Sequence, residues 1–171
     1  MWRERTDERR QMKIEQAQLE GVLIIHPEVF EDYRGEYVML HSEKLFPDYH
    51  FVEDDISVSY KNVLRGIHGD NQTAKLISCL YGRLYLVVVN WDKDSPQCGE
   101  WQAFTLSDKN RLQILVPPKF GNGHLVLSDV AIFHYKQTQY YNKEGQFTIP
   151  WRHASWPIEN PILSERDKNV S

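Results

Sequence analysis

The chain has 171 residues, 41% of them hydrophobic, and this length and composition suit one domain with a single core. Its formal net charge of -4, from 20 basic and 24 acidic residues, provides no broad positive field for nucleic acid or anionic lipid. No run reaches the roughly 18 apolar residues that a membrane span needs, and the charged N-terminus is unlike a signal peptide, so we expect a cytoplasmic protein.

The chain divides into an N-terminal arm and one domain. Residues 1–20 are highly charged, and we expect this arm to form a short helix or to stay frayed. From residue 21 to residue 171 we expect a single domain, in which apolar and β-branched segments alternate with turns, a rhythm typical of an all-β protein. The apolar segments are, in chain order, GVLIIHP, GEYVML, HFVEDDISVSY, AKLISCLYG, RLYLVVVNW, EWQAFTLS, RLQILVPP, GHLVLS and VAIFHYKQ.

Many short strands within one domain predict a sandwich, a barrel or a jelly roll, and the pattern alone does not choose among them. Beyond Trp151 the sequence becomes irregular and rich in proline, which predicts a C-terminal tail that wraps over the body. Long strands such as LYLVVVNW create a sheet edge that must be covered, so pairing with a second subunit is expected. The two cysteines require no disulfide, and Cys79, in an apolar run, is interpreted as packing.

The densest group of potentially reactive side chains lies in NVLRGIHGDNQTAKL, between two strong strands. It contains Arg65, His68, Asp70 and Lys75, a concentration of charge that is unusual for core packing. In a regular strand Arg65 and His68 would point to opposite faces. Because Gly66 can distort the strand, the sequence leaves their relative orientation open.

Short motifs distributed along the chain occur together in a fixed order. They are DYRGEY, FVEDDISVS, VLRGIHGD, the lysine of AKL, DSPQCGEW, VLSD, YK followed by YY, SWP and LSERD. In these motifs and their order, from about residue 21 to residue 167, the chain resembles the dTDP-4-dehydrorhamnose 3,5-epimerases. The resemblance implies a cupin-type jelly roll that holds a nucleotide-diphospho-sugar at the barrel mouth, acts as a homodimer and uses neither a metal nor another cofactor.

The resemblance also implies a catalytic set. The histidine of LRGxH is the base in this family, so His68 inherits that role, and Asp167 of LSERD orients its ring. A carboxylate bound to one imidazole nitrogen fixes the tautomer and strengthens the other nitrogen as a base. Inversion needs a second group on the opposite face of the sugar, and the family spacing assigns it to Tyr141, with Tyr140 as the neighbouring alternative. Lys75 would stabilise the enolate oxygen that forms from the C4 ketone.

A second set is expected to bind the substrate. Arg34 and Arg65 match the arginines that hold the diphosphate in the family, because a planar guanidinium suits paired oxygens; a structural salt bridge is the alternative for Arg34. Trp156 of the SWP motif is also placed in this set.

Four further binding positions depart from the family pattern. Glu53 and Asp55 stand where the family has two amides, and Asn122 stands at a histidine position, with His124 two places on. Changed binding positions beside a retained catalytic set indicate a changed substrate rather than a lost reaction. LRGIHGD, PPxxGNxH and PILSERD are more similar to the branch that epimerises GDP-linked 4-keto-6-deoxy-heptoses or related GDP sugars for bacterial surface polysaccharides.

Three other functions are compatible with a jelly roll. A nucleotide-sugar 3,4-ketoisomerase and a noncatalytic sugar-nucleotide-binding protein share the fold, but retention of the whole catalytic set favours epimerisation. A metal-dependent cupin needs two histidines separated by one residue, a following acid and a later histidine. The sequence around His68 lacks this spacing, and Asn122 occupies the later position.

Overall fold

A computed structural model describes residues 12–170, and the regular secondary structure of this part of the chain is mainly β-strand. The strands are β1 (Lys13–Gln16), β2 (Leu23–His26), β3 (Val29–Asp32), β4 (Gly35–Val38), β5 (Glu53–Tyr60), β6 (Leu64–Asp70), β7 (Lys75–Tyr81), β8 (Arg83–Asn90), β9 (Trp101–Ser107), β10 (Gln113–Val116), β11 (Phe120–Val126), β12 (Val130–Gln137) and β13 (Gln146–Thr148). The helical segments of this range are 3-10 turns at Glu43–Leu45, Lys143–Gly145 and Trp151–His153, and the short helix α1 (Glu165–Lys168).

Two antiparallel sheets face each other. Sheet 1 has the strand order β1-β2-β10-β7-β12-β5, and sheet 2 has the order β13-β6-β11-β8-β9. Strands β3 and β4 form a separate hairpin. Pairing of strands that are distant in sequence is typical of a jelly roll, and the predicted all-β, cupin-type fold is confirmed.

The main core fills the space between the two sheets. Alternate residues of the central strands point into it, because successive side chains of a strand face opposite sides. Cys79 is one of them, and burial raises the pKa of its thiol to about 12. Cys98 is exposed and both cysteines are unpaired, so the prediction that Cys79 serves packing is confirmed. The buried members are Leu19, Val22, Ile77, Cys79, Leu84, Leu86, Val88, Phe104, Leu106, Ile114, Val116, Phe120 and Phe133.

The second half of the predicted N-terminal arm forms a strand rather than a helix or a frayed end. Residues 13–16 form strand β1, which pairs with β2, and Leu19 is only 2% exposed within the main core. This part of the predicted arm therefore packs against the domain rather than lying free of it. The earlier part of the arm, residues 1–11, lies outside the described residues.

The C-terminal tail crosses the outer face of sheet 2. Ile149 and Ala154 pack there against side chains of β8. Further on, Ile162 pairs with Val63 beside the start of β6, and this contact brings α1 next to that strand. The wrapping tail is thus confirmed. None of the helices within residues 12–170 has the length and apolar character needed to cross a bilayer.

Candidate active site

A polar group of side chains lies on the inner face of sheet 1. The register of β5 and β12 pairs Glu53 with Gln137 and Asp55 with Tyr135, while Gln137 also stands opposite Lys75 of β7. Directly opposed residues share one face of a sheet. These five side chains therefore share the face that carries the main core further along the same strands.

On sheet 2, a bulge in β6 brings two predicted residues to the inner face. His68 pairs with Asn122 and Arg65 pairs with His124, so three steps along β6 match two steps along β11. Gly66 permits the distortion: its φ is +113°, and a Cβ there would lie 2.6 Å from the backbone of β11. Arg65 and His68 consequently point the same way, which the sequence had left open.

The histidine and aspartate predicted to act together are in contact. His68 Nε2 lies 2.6 Å from Asp167 Oδ1, and the backbone N–H of Gly66 donates to Asp167 Oδ2 at 3.3 Å. Asp167 is 3% exposed, whereas the His68 side chain is 26% exposed. Burial alone would raise the pKa of Asp167, but the hydrogen bonds from His68, Gly66 and Ser164 lower it overall. An ionised Asp167 accepts a hydrogen bond from the Nε2–H group and leaves Nδ1 as the basic nitrogen.

Lys75 projects from the first position of β7. Its Nζ donates to Asn122 Oδ1 at 3.3 Å, which joins the two sheets through a neutral partner. Burial lowers the pKa of Lys75, and the charge of Asp70 opposes that shift only in part. A partly buried ammonium group with a neutral partner is available to an anion that forms in the site.

Two more side chains of sheet 2, Arg65 and His124, border the site. Arg65 Nε donates to Ser59 Oγ at 2.9 Å, a bond that crosses to β5. His124 is 4% exposed and stacks on Phe133 with 4.0 Å between ring centroids. Burial, followed by the charges of Arg65 and His68, lowers the pKa of His124 to about 3. The ring is neutral at physiological pH and forms part of the floor of the site.

The two unexpected carboxylates lie on the opposite wall. One oxygen of Glu53 accepts from Gln137 Nε2 and from the backbone N–H of Tyr141, both at 2.7 Å. Burial raises the pKa of Asp55, with further contributions from the charges of Glu53 and Asp54. Asp54 itself faces the other side of the sheet, where it binds a histidine and a lysine of β12.

Three tyrosines are near this wall. Tyr141, the predicted proton donor, is 56% exposed at the rim, and Tyr140 is 74% exposed. Tyr135 was not predicted, although the alternation in VAIFHYKQ would have placed it on the core-facing side. It is partly buried on the inner face, and burial raises the pKa of its phenol, followed by the charges of Asp55, Glu53 and Tyr141.

Two predicted binding residues are not brought to this site within one chain. Trp156 packs on Tyr85 on the outer face of sheet 2 and donates its Nε1–H to the Trp151 carbonyl at 2.7 Å, because the tail crosses that face. Arg34 lies in the β3–β4 hairpin and forms an ion pair with Asp32, as the salt-bridge alternative foresaw. All the other predicted residues border the space between the sheets or its rim.

The arrangement combines a base with its orienting carboxylate, a partly buried ammonium group and phenols. Such a set can remove a proton next to a carbonyl, stabilise the resulting oxyanion and return a proton from another side. Within residues 12–170, no three His, Cys, Asp or Glu side chains form a group suited to hold a metal ion.

Comparison with known proteins places this site in context. The family model described as dTDP-4-dehydrorhamnose 3,5-epimerase matches residues 16–171. The dTDP-4-dehydrorhamnose 3,5-epimerase of Shigella flexneri is 36% identical over 170 residues, covering 92% of this chain and 94% of the relative. The crystal structure of the Elizabethkingia anophelis protein of that name is 39% identical, with a TM-score of 0.86 over 93% of this chain and 94% of that chain.

A solved complex is also similar. It is the dTDP-6-deoxy-D-glucose-3,5-epimerase of Legionella pneumophila bound to dTDP-4-keto-L-rhamnose. The identity is 34% and the TM-score is 0.88, over 92% of this chain and 90% of that chain.

Proposed function

Since this chain belongs to the dTDP-4-dehydrorhamnose 3,5-epimerase family and is thus an isomerase, we propose that it inverts C3 and C5 of a dTDP-linked 4-keto-6-deoxy sugar between its two sheets. The observation that carries the proposal is the 2.6 Å hydrogen bond between His68 and the buried Asp167, on the same side of the barrel as the Lys75–Asn122 contact. Incubation with the sugar in D2O, followed by NMR, tests it through deuterium incorporation and the change in configuration.

The first chemical step is proton removal by His68. Asp167 accepts a hydrogen bond from the Nε2–H group, so the lone pair of Nδ1 takes the proton from the carbon next to the C4 ketone. The electrons of the broken C–H bond move to the C4 oxygen and form an enolate. The ammonium group of Lys75 stabilises that oxygen, and its neutral partner Asn122 keeps it directed into the site.

The second step returns a proton to the opposite face of the same carbon. We propose that a phenol on the β5–β12 wall donates it, which leaves a phenolate that solvent reprotonates while His68 releases its own proton. Tyr141 is the donor suggested by the family spacing. The inward position of Tyr135, between the carboxylates and the core, supports it as the competing donor.

The nucleotide is the second element to test. The names of the relatives favour dTDP, whereas the carboxylates Glu53 and Asp55 on the inner face motivate a comparison with GDP-linked sugars. Parallel incubations with dTDP-, GDP- and CDP-linked 4-keto sugars decide between them, and turnover of the GDP sugar alone would refute the dTDP assignment. A nucleoside diphosphate substrate is consistent with a cytoplasmic reaction, which cell fractionation would check.

We propose that two copies assemble into a homodimer. The edge strand β5 exposes Ile56, Val58 and Tyr60 on the outer face of sheet 1, and Tyr81 of β7, on the far side of β12, is exposed as well. Such a contiguous apolar face on an edge strand is typical of an interface. The separate β3–β4 hairpin would carry Arg34 toward the partner's diphosphate site. Sedimentation at micromolar concentration tests the dimer, and a monomeric mass would contradict it.

A further inference from the structure

The segment that carries the exposed tyrosines, residues 138–142, is held to the barrel at two points, and we call it the rim segment. At its start, the N–H of Thr138 donates to the Ala74 carbonyl at 3.1 Å, and Thr138 Oγ1 accepts from the Ala74 N–H at 2.9 Å. Further along, the N–H of Tyr141 donates to Glu53 at 2.7 Å. The first contact fixes where the segment leaves β12, and the second fixes where Tyr141 lies.

Glu53 is placed to connect three parts of the site. It is the first residue of β5, and it pairs across the sheet with Gln137, the last residue of β12. Its Oε2 accepts from Gln137 Nε2 as well as from the rim segment, so one carboxylate oxygen receives both hydrogen bonds. Gln137 is 4% exposed and pairs with Lys75 of β7 on its other side, which gives Glu53 a rigid support.

From this geometry we infer that Glu53 is a positioning residue, which anchors the rim segment so that the Tyr141 phenol is directed at the sugar. This inference rests on the proposed epimerisation. The pKa of Tyr135 is raised, first by burial and then by the charges of Asp55, Glu53 and Tyr141. These three side chains therefore lie close to Tyr135, which supports the inference.

Three variants separate positioning from general stability. Glu53→Ala removes both hydrogen bonds, whereas Glu53→Gln can direct its amide oxygen to the place of Oε2 and retain both with a neutral acceptor. Glu144→Ala is the matched control: this exposed carboxylate belongs to the 3-10 turn just after the rim segment, and only its backbone N–H, bound to Asn142, takes part in a described hydrogen bond.

The first readout is hydrogen exchange at the Tyr141 amide, followed by NMR. Glu53→Ala should accelerate it about tenfold or more, because a charge-assisted hydrogen bond is lost. Glu53→Gln should stay closer to the wild type, and Glu144→Ala should leave it unchanged. An unaltered Tyr141 exchange rate in Glu53→Ala would overturn the inference. Amides of the main core serve as the internal check that each variant is folded.

The second readout is the ratio of deuterium incorporation to inversion. Glu53→Ala should still incorporate deuterium from His68 but invert less often, which raises the ratio, and Glu53→Gln should restore it. A faster Tyr141 amide with an unchanged ratio would show that the rim segment does not direct the donor, and would refute the inference. A wild-type protein that neither exchanges nor inverts the sugar would refute the proposed function instead, while the amide measurement would still decide whether Glu53 anchors the segment.

Discussion

Replacement of Asp167 by Asn isolates the contribution of one buried carboxylate. The wild-type bond to His68 spans 2.6 Å, with Asp167 3% exposed. A hydrogen bond to a charged group contributes about 1.5–3 kcal/mol, and each 1.4 kcal/mol corresponds to a factor of ten. The amide can also donate to Nε2, which moves the ring proton to Nδ1 and removes the base. The variant loses both the charged hydrogen bond and the correct tautomer of His68. We therefore expect kcat to fall by about a hundredfold to ten-thousandfold.

The assay is NMR in D2O, which reports exchange and inversion together. Because Asp167 acts through the base, both should fall by the same factor, with KM changed little. Asp94→Asn is the control, since that side chain is 93% exposed. A carboxylate that orients a catalytic histidine contributes far more than about threefold to kcat. A kcat of Asp167→Asn within about threefold of wild type would therefore refute the role of Asp167.

Asp167 should also affect stability in a pH-dependent way. Its pKa is lowered in the folded protein from a value of 3.8, so its ionised form stabilises the fold above about pH 3.8. That contribution is lost as the pH falls through the lowered value. The difference in unfolding free energy between wild type and Asp167→Asn should therefore be largest at neutral pH and should shrink below pH 3.8. A difference that grows on acidification would contradict this linkage.

Three further perturbations test other parts of the site. Lys75→Ala should fold normally and lose about a hundredfold in kcat, as expected for a removed oxyanion stabiliser, and near-normal turnover would mean that the amine does not act on the enolate. Tyr135→Phe and Tyr141→Phe identify the proton donor. The variant that lacks the donor should incorporate deuterium without inverting the carbon, and normal inversion by both variants would point to Tyr140. His124→Phe should stabilise the fold by about 1 kcal/mol at neutral pH, because it removes a buried Nε2 without a partner among the described residues. The pKa of His124 is lowered in the folded protein to about 3, from the ordinary value of 6.5 that applies to the unfolded chain. Below pH 6.5 the unfolded wild type takes up a proton that the folded protein does not, so the stability gained by His124→Phe should grow as the pH falls. A gain that shrinks would refute the buried neutral ring.

Much of the fold follows from alternation along the chain. All nine predicted segments contain a strand. Alternation also separates Glu53 and Asp55, which share the inner face, from Asp54, which faces outward. These features depend on neighbouring residues and on the two-residue period of a strand, so they can be predicted locally.

Other features depend on contacts that a local pattern does not encode. Strand β6 was obscured because Gly66 interrupts the alternation, and only the pairing with β11 reveals that Arg65 and His68 point the same way. The path of the tail decides that Asp167 reaches His68 while Trp156 packs on the outer face. The family motifs predicted that Asp167 contacts His68, but they did not predict that Trp156 packs on the outer face. A motif records residue types and their order rather than the face on which each side chain lies.

The central claim, that His68 opens the reaction by removing a carbon-bound proton, is tested most directly by solvent exchange. A dTDP-linked 4-keto-6-deoxy sugar is incubated in D2O with the wild type or with His68→Asn, and deuterium at C3 and C5 is followed by NMR. We expect the wild type to incorporate deuterium and invert both carbons, and His68→Asn to do neither, because no enolate forms without the base. Deuterium incorporation by His68→Asn at the wild-type rate would contradict the mechanism at its first step.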